Sequence, residues 1–266
     1  MGVGGSTYLA PDGNHFMWSS PWAELYIATM DDKGVSKTEG IGHNHWIDGK
    51  HWVELIVKEN MFSTFLTPPE PFVKVNEYIV GSKKPTRTVA IAEGDPLNIE
   101  RAKIGIQSEM EFVTPDYRLL YANWDGRKNV ATQIITETPL LKKGVSRRLK
   151  IKIPPETAID DIAFSPDGKR IAWQLRTRHI PALASEMIKK FPNMEPCPHP
   201  IVSLWVSAID GSGMHQLDQQ TTTPEAANEV DDAILQKSQP VEIRWLPNSK
   251  TISFIYQNSL WKLDAN

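Results

Sequence analysis

The sequence predicts an all-β chain, a β-propeller of six four-stranded antiparallel blades, with a short helical insertion near residues 180–200. Three observations lead there. One hairpin grammar recurs along the chain. The residues after each corner alternate in the period of two that marks a strand. A second strand-and-turn element follows several of the copies.

The copies run in order. YLAPDGNHFMW spans Tyr8 to Trp18. HWIDGKHWVELI, from His45 to Ile56, lacks the proline and is the weakest. FVTPDYRLLYA, from Phe112 to Ala122, carries Tyr117 where the others carry glycine or a small polar residue. AFSPDGKRIAW, from Ala163 to Trp173, is the most complete, and RWLPNSKTISFIY, from Arg244 to Tyr256, closes the series. Each is read as a β-hairpin corner. Proline presets φ at the first central position, Asp or Asn folds its side chain back onto the backbone, and glycine accepts positive φ. After the corner, Ile171 and Trp173 face one way and Ala172 and Gln174 the other.

The second element is ELYIATMDDKG (Glu24 to Gly34), SLWVSAIDGSGMHQL (Ser203 to Leu217) and SLWKLDAN (Ser259 to Asn266). Asp-Gly suits a tight turn, so the unit is a four-stranded meander. One such sheet cannot bury both faces, whereas sheets set radially bury them against each other. Six units give roughly 44 residues each, near the length of propeller repeats. The spacing is irregular. EYIVGSKKPTRTVAIA (Glu77 to Ala92) is expected to be a further, degenerate blade, and the insertion from His179 to Pro200 to hold a short helix with Leu183, Met187 and Phe191 on one face. The strand-like start before Pro11 is a candidate to complete the last blade and remove an exposed edge.

Composition narrows the function classes. Apolar residues make 40% of the chain and charged residues 23%, a globular balance. The net charge is −3 and the densest basic stretch, Lys142 to Lys152, reads as a solvated edge, so no nucleic-acid partner is expected. No apolar run is long enough for a membrane-spanning helix. The one cysteine, Cys197, cannot form an internal disulfide. The start, MGVGGS, lacks a signal peptide's basic and apolar regions, which places the protein in the cytoplasm, or in the periplasm or outside the cell if a signal has been removed.

FSPDGKRIAW followed by LWVSAIDGSGMHQL resembles the repeat of TolB-like, or WD40-like Pro-Asp, β-propellers. Phe164, Ser165, Pro166, Asp167, Gly168, Lys169, Ile171 and Ala172 match the first part of that repeat. Leu204, Trp205, Val206, Asp210, Gly211 and Ser212 match the second, and the region from about Met61 to Glu109 matches poorly. The resemblance implies one propeller domain over residues 1–266, a scaffold that hosts many functions.

The sequence holds no Gly-x-Ser-x-Gly, P-loop or dinucleotide fingerprint. The function expected is therefore a non-enzymatic module that binds a protein or peptide at its channel face or loops, without a cofactor. Its candidate binding residues are His43, His45, His51, Trp52, Trp124, Asp160 and Asp161, with Trp22 as a further exposed aromatic. His43 and His45 are two apart, so a strand points both to one face, and such a pair can ligate a divalent metal if Glu54, His15 or another residue supplies a third ligand. This is the alternative reading: a carbohydrate-active lyase or glycosidase-like enzyme, by analogy with propeller lyases that use histidines and a metal. Asp160 and Asp161 open a strand whose start lies near a propeller's axis; Glu229, Asp231 and Asp232 form a second acidic stretch.

Overall fold

The structure is a computed structural model. It describes residues 7–19, 24–30, 35–39, 43–58, 70–103, 108–126, 128–141, 145–179, 190, 199–221, 240–256 and 259–265. Most of the 180–200 insertion, Trp22, Cys197 and the acidic stretch at 229–232 lie outside these residues.

The fold is all-β and built from propeller-type blades. Five antiparallel sheets are formed among the described residues, and in each the strands follow one another in chain order. The first holds β1 (Thr7–Leu9), β2 (His15–Ser19), β3 (Glu24–Thr29) and β4 (Val35–Glu39). The second holds β5 (His43–Trp46), β6 (His51–Val57), β7 (Phe72–Ile79) and β8 (Arg87–Ala90). A short helix, α1 (Pro96–Arg101), precedes the third sheet. That sheet holds β9 (Ser108–Val113), β10 (Arg118–Trp124), β11 (Thr132–Pro139) and β12 (Arg147–Lys152). The fourth holds β13 (Thr157–Phe164), β14 (Arg170–His179), β15 (His199–Ala208) and β16 (His215–Thr221). The fifth has three strands, β17 (Val241–Trp245), β18 (Thr251–Tyr256) and β19 (Ser259–Asp264). No described helix is long and apolar enough to cross a membrane.

All five corners are hairpins between the first and second strands of a sheet. Four place one residue in the left-handed region: Gly13 at φ 69°, Tyr117 at 63°, Gly168 at 66° and Ser249 at 53°. Glycine holds that conformation without steric cost. Tyr117 holds it because its ring packs on the core and its hydroxyl donates to Glu77 Oε1 at 2.7 Å. The corner without proline is one residue shorter, since Trp46 faces Trp52 where Leu9 faces Phe16. Its Gly49 is not left-handed; a Cβ there would run into the Asp12 carboxylate of the first corner.

Two expectations change. The segment read as a separate degenerate blade is the outer half of the second sheet. There β7 pairs along β6 from Trp52↔Tyr78 to Ile56↔Lys74, and β8 pairs on β7. The long connection after Val57 hid that continuity. The N-terminal strand β1 pairs with β2, Thr7↔Trp18 to Leu9↔Phe16, as a member of the first sheet.

The chain divides into two compact units, Met1–Asn123 with Ile135–Arg148, and Trp124–Ile134 with Leu149–Asn266. In the first, Met17, Leu25 and Ile27 pack on Trp46, Trp52 and Tyr78. Leu55, Phe72 and Val75 pack on Val113, Leu119, Tyr121 and Leu140. In the second, Ala172, Leu204 and Val206 pack on Ile243, Trp245, Ile252 and Phe254. Each cluster joins two neighbouring sheets face to face, the burial that a single meander lacks.

Candidate functional site

Strand periodicity puts His43 and His45 of β5 on one face and Asn44 and Trp46 on the other, and the burial of β5 alternates accordingly. Register carries the two faces across the sheet. His43 faces Leu55 in β6, Leu55 faces Val75 in β7, and Val75 faces Val89 in β8. On the opposite face Asn44, Glu54, Asn76 and Thr88 form a polar row through all four strands. Glu54 is therefore on the wrong face to join the histidines. It is buried and accepts from the Tyr78 hydroxyl at 3.0 Å and the Asn76 amide at 3.1 Å. Burial, with the Glu54 charge beside it, pushes the Tyr78 hydroxyl up to about 12.

The group that meets the two histidines is Glu111 of β9. His43 Nδ1 lies 2.8 Å from Glu111 Oε2, and His45 Nε2 lies 3.4 Å from the same oxygen. Arg101, in the last turn of α1, donates to Glu111 Oε1 at 2.6 Å and to the backbone carbonyl of Glu70 at 2.9 Å. Its guanidinium stacks 4.2 Å over the Phe72 ring, and the Arg101 side chain is only 5% exposed. Glu109, two residues along β9, lies 3.6 Å from Arg101 and accepts from the Tyr121 hydroxyl. Burial raises the Glu111 carboxyl, but hydrogen bonds from His43 and His45 and their charge outweigh it, so it is held well below the usual carboxylate range.

An ionised Glu111 fixes the His43 tautomer. Nδ1 carries the proton and donates to Glu111; in the neutral ring Nε2 is then an acceptor, and Arg101 Nη2 lies 3.5 Å from it. The His43 ring is also held edge-on to Phe72, at 5.3 Å and 90°. His43 is the member that reaches solvent, with 37% of its side chain exposed.

His15 and His51 belong to a different device. In Asp12-Gly-Asn-His15 and in Asp48-Gly-Lys-His51 the corner aspartate accepts two backbone N–H bonds and binds the histidine Nδ1, at 2.8 Å and 2.9 Å. His51 is thereby tied to its own corner and not to the Glu111 cluster. Trp52 and Trp124 are buried, which corrects the reading of both as exposed contact residues. Trp52 lies in the core, stacked on Tyr78 at 4.2 Å and 6°.

Asp160 and Asp161 lie in β13, where the pairing with β14 shifts between Ile159 and Asp161. Asp160 pairs with Arg176 at 2.8 Å, and Arg176 also donates to the carbonyl of Gly126. Asp161 accepts from the N–H of Ile162. Burial pushes Asp160 up to about 6; Arg176 opposes this and the Asp161 charge adds to it. The native state thus holds the proton more tightly than the unfolded chain, whose value is near 3.8. The stabilisation is present below about pH 4 and is lost as pH rises through about 6. Asp160→Asn is expected to flatten that decline in pH-dependent thermal unfolding. An unchanged slope would show that another group carries it.

Among the described residues no group of three or more His, Cys, Asp or Glu side chains is placed to hold a metal ion. The Glu111 cluster has two imidazoles and a carboxylate, but Arg101 already supplies the cation, and the second nitrogen of His43 faces that cation. The donors do not fit a resident divalent metal.

Glu111, Arg101 and Glu109 are not among the candidates that the sequence offers. Two signals were present. Glu109 and Glu111 alternate with Met110 and Phe112 in EMEF, the mark of a strand with one acidic face. Asp95 and Pro96 mark a helix start, and Asp95 does cap α1 through the N–H of Leu97.

No family model matches the chain, and no curated protein matches it. Among solved structures it is similar to an oligogalacturonate lyase from Vibrio parahaemolyticus, at 13% identity and a TM-score of 0.47, covering 100% of this chain and 79% of that one. It is also similar to Kuenenia stuttgartiensis hydrazine synthase, at 12% identity and a TM-score of 0.43, covering 97% of this chain and 70% of that one. At these values the likeness concerns the fold alone.

Proposed function

We propose that the chain is a TolB-like binding module that recognises a protein or peptide through the end of the second sheet where His43 stands. One observation carries the reading: His43 is a half-exposed polar side chain whose ring orientation is held by Glu111, Arg101 and Phe72. A side chain ordered before contact loses little entropy on binding, which favours recognition. Behind it Glu111 and Arg101 satisfy one another and hold His43 in place.

Affinity capture from the native extract with wild type and His43→Ala tests this. A partner retained by wild type and lost by the variant is the expected result. Equal retention by both, with the variant folded, would overturn it.

A metal-dependent carbohydrate-active enzyme is the second reading, because both imidazoles address the same oxygen of Glu111. Arg101 argues against it. Elemental analysis of the purified protein should find no stoichiometric manganese or zinc. A stoichiometric metal that disappears in a His43→Ala/His45→Ala variant would reverse the order of the two readings.

A further inference from the structure

The outer strand of the second sheet, β8, has a neighbour on one side only among the described residues. In an antiparallel pair the residues alternate between exchanging backbone bonds with the neighbour and pointing them away. The N–H of Ile91 donates to Val73, and Val89 faces Val75 in the same phase. Thr88 and Ala90 are in the other phase, so their N–H and C=O groups point out of the sheet. Beside this edge lies a cleft of about 610 Å³, within the range of small binding sites. Val75, Val89, Leu140 and Leu141 give it an apolar floor.

Arg87 stands at one end of the same strand face as Val89. It is exposed and makes no ion pair with a described residue. Its cross-strand neighbour Glu77 is engaged by the Tyr117 hydroxyl. Asp95, at the other end of the cleft, is also engaged: it caps α1 and accepts from the Ser146 hydroxyl at 2.8 Å. Among the described residues the cleft therefore offers a guanidinium without an ion pair, an apolar floor and a strand edge without a neighbour.

We propose that β8 takes an extended peptide segment of a partner protein, added antiparallel as a further strand. Main-chain bonds to Thr88 and Ala90 would hold it, and its side chains would give selectivity, as in other strand additions. The residue opposite Val89 extends the apolar row, and the residue two further along meets Arg87. The preferred segment reads apolar-x-acidic from N- to C-terminus. This rests on the binding-module reading but uses a different surface from His43.

The probe is a fluorescein-labelled peptide, Ser-Val-Thr-Val-Thr-Asp-Ser, titrated to about 1 mM by anisotropy, with Kd expected in the high micromolar range for a single short strand. Arg87→Glu should weaken binding about tenfold or more, and a peptide with Lys in place of Asp should recover it on that variant. Ala90→Pro removes an outward N–H without removing a bond to β7, and should weaken binding similarly at an unchanged melting temperature. If that variant fails to fold, the charge swap at the exposed Arg87 decides alone. No saturable binding to wild type, or equal binding of the Asp and Lys peptides, overturns the proposal. Loss of a captured partner on His43→Ala together with no peptide binding would overturn this proposal and leave the binding-module reading standing.

Discussion

Glu111→Ala should lower the stability of the fold by about 3–5 kcal/mol, the range for breaking a buried ion pair from one side. The cost comes from what remains. Arg101 keeps its bond to the Glu70 carbonyl and its stack on Phe72, but its side chain is 5% exposed and its nearest carboxylate becomes Glu109 at 3.6 Å. His43 and His45 lose their common acceptor at the same time. Glu111→Gln keeps the shape and one acceptor, so its loss should be smaller. The pH dependence has a definite sign. The Glu111 carboxyl is held well below its ordinary value of about 4.5. Its contribution is full above about pH 4.5 and is lost as pH falls. The stability gap between wild type and Glu111→Gln should therefore narrow in acid. Urea unfolding at pH 7 and pH 4 measures both effects. A loss below about 1 kcal/mol for Glu111→Ala at pH 7 would mean that the cluster is a surface arrangement and not a buried hub.

Trp52→Ala is expected to cost a similar amount, about 3–5 kcal/mol, the range for deleting a buried large aromatic. Trp52 is 1% exposed and packs with Met17, Leu25, Ile27 and Trp46, where the first and second sheets meet. Its stacking on Tyr78 adds to that, and Tyr78 in turn holds Glu54. Trp52→Phe should recover much of the loss. Thermal and urea unfolding distinguish this from a contact role. A variant that melts like wild type but loses a partner would put Trp52 on a surface.

The hairpin corners could be read because their physics is local. Proline, Asp or Asn and a left-handed residue act within four positions, so Pro11, Pro115, Pro166 and Pro247 announced their turns without help from the rest of the chain. Even the departure at Tyr117 was visible, although its compensation, the bond to Glu77, was not. The Glu111 cluster was half legible. Period two put His43 and His45 on one face, but the carboxylate they share is 68 and 66 residues away. α1 has six residues, too few for a helical period to show. The burial of Trp52 is not legible because β6 is buried on both faces, so a run of His, Trp and apolar residues does not say which side meets solvent. The outer half of the second sheet is not legible in the sequence because its pairing with β6 crosses a long connection.

The polar row through the second sheet also constrains how that sheet assembles. Thr88 donates to Asn76 at 2.9 Å, and Asn76 donates to Glu54 at 3.1 Å. Strand alternation means that sliding β6 by a single position would turn Glu54 into the apolar layer of Phe72 and Val75, and Leu55 into the amides. The misaligned sheet would hold an uncompensated carboxyl group in hydrocarbon, a penalty of several kcal/mol. The row therefore works as an alignment key. It discriminates against near-miss pairings during folding, and it fixes the phase in which His43 reaches Glu111 at one end of the sheet and Val89 faces the cleft at the other.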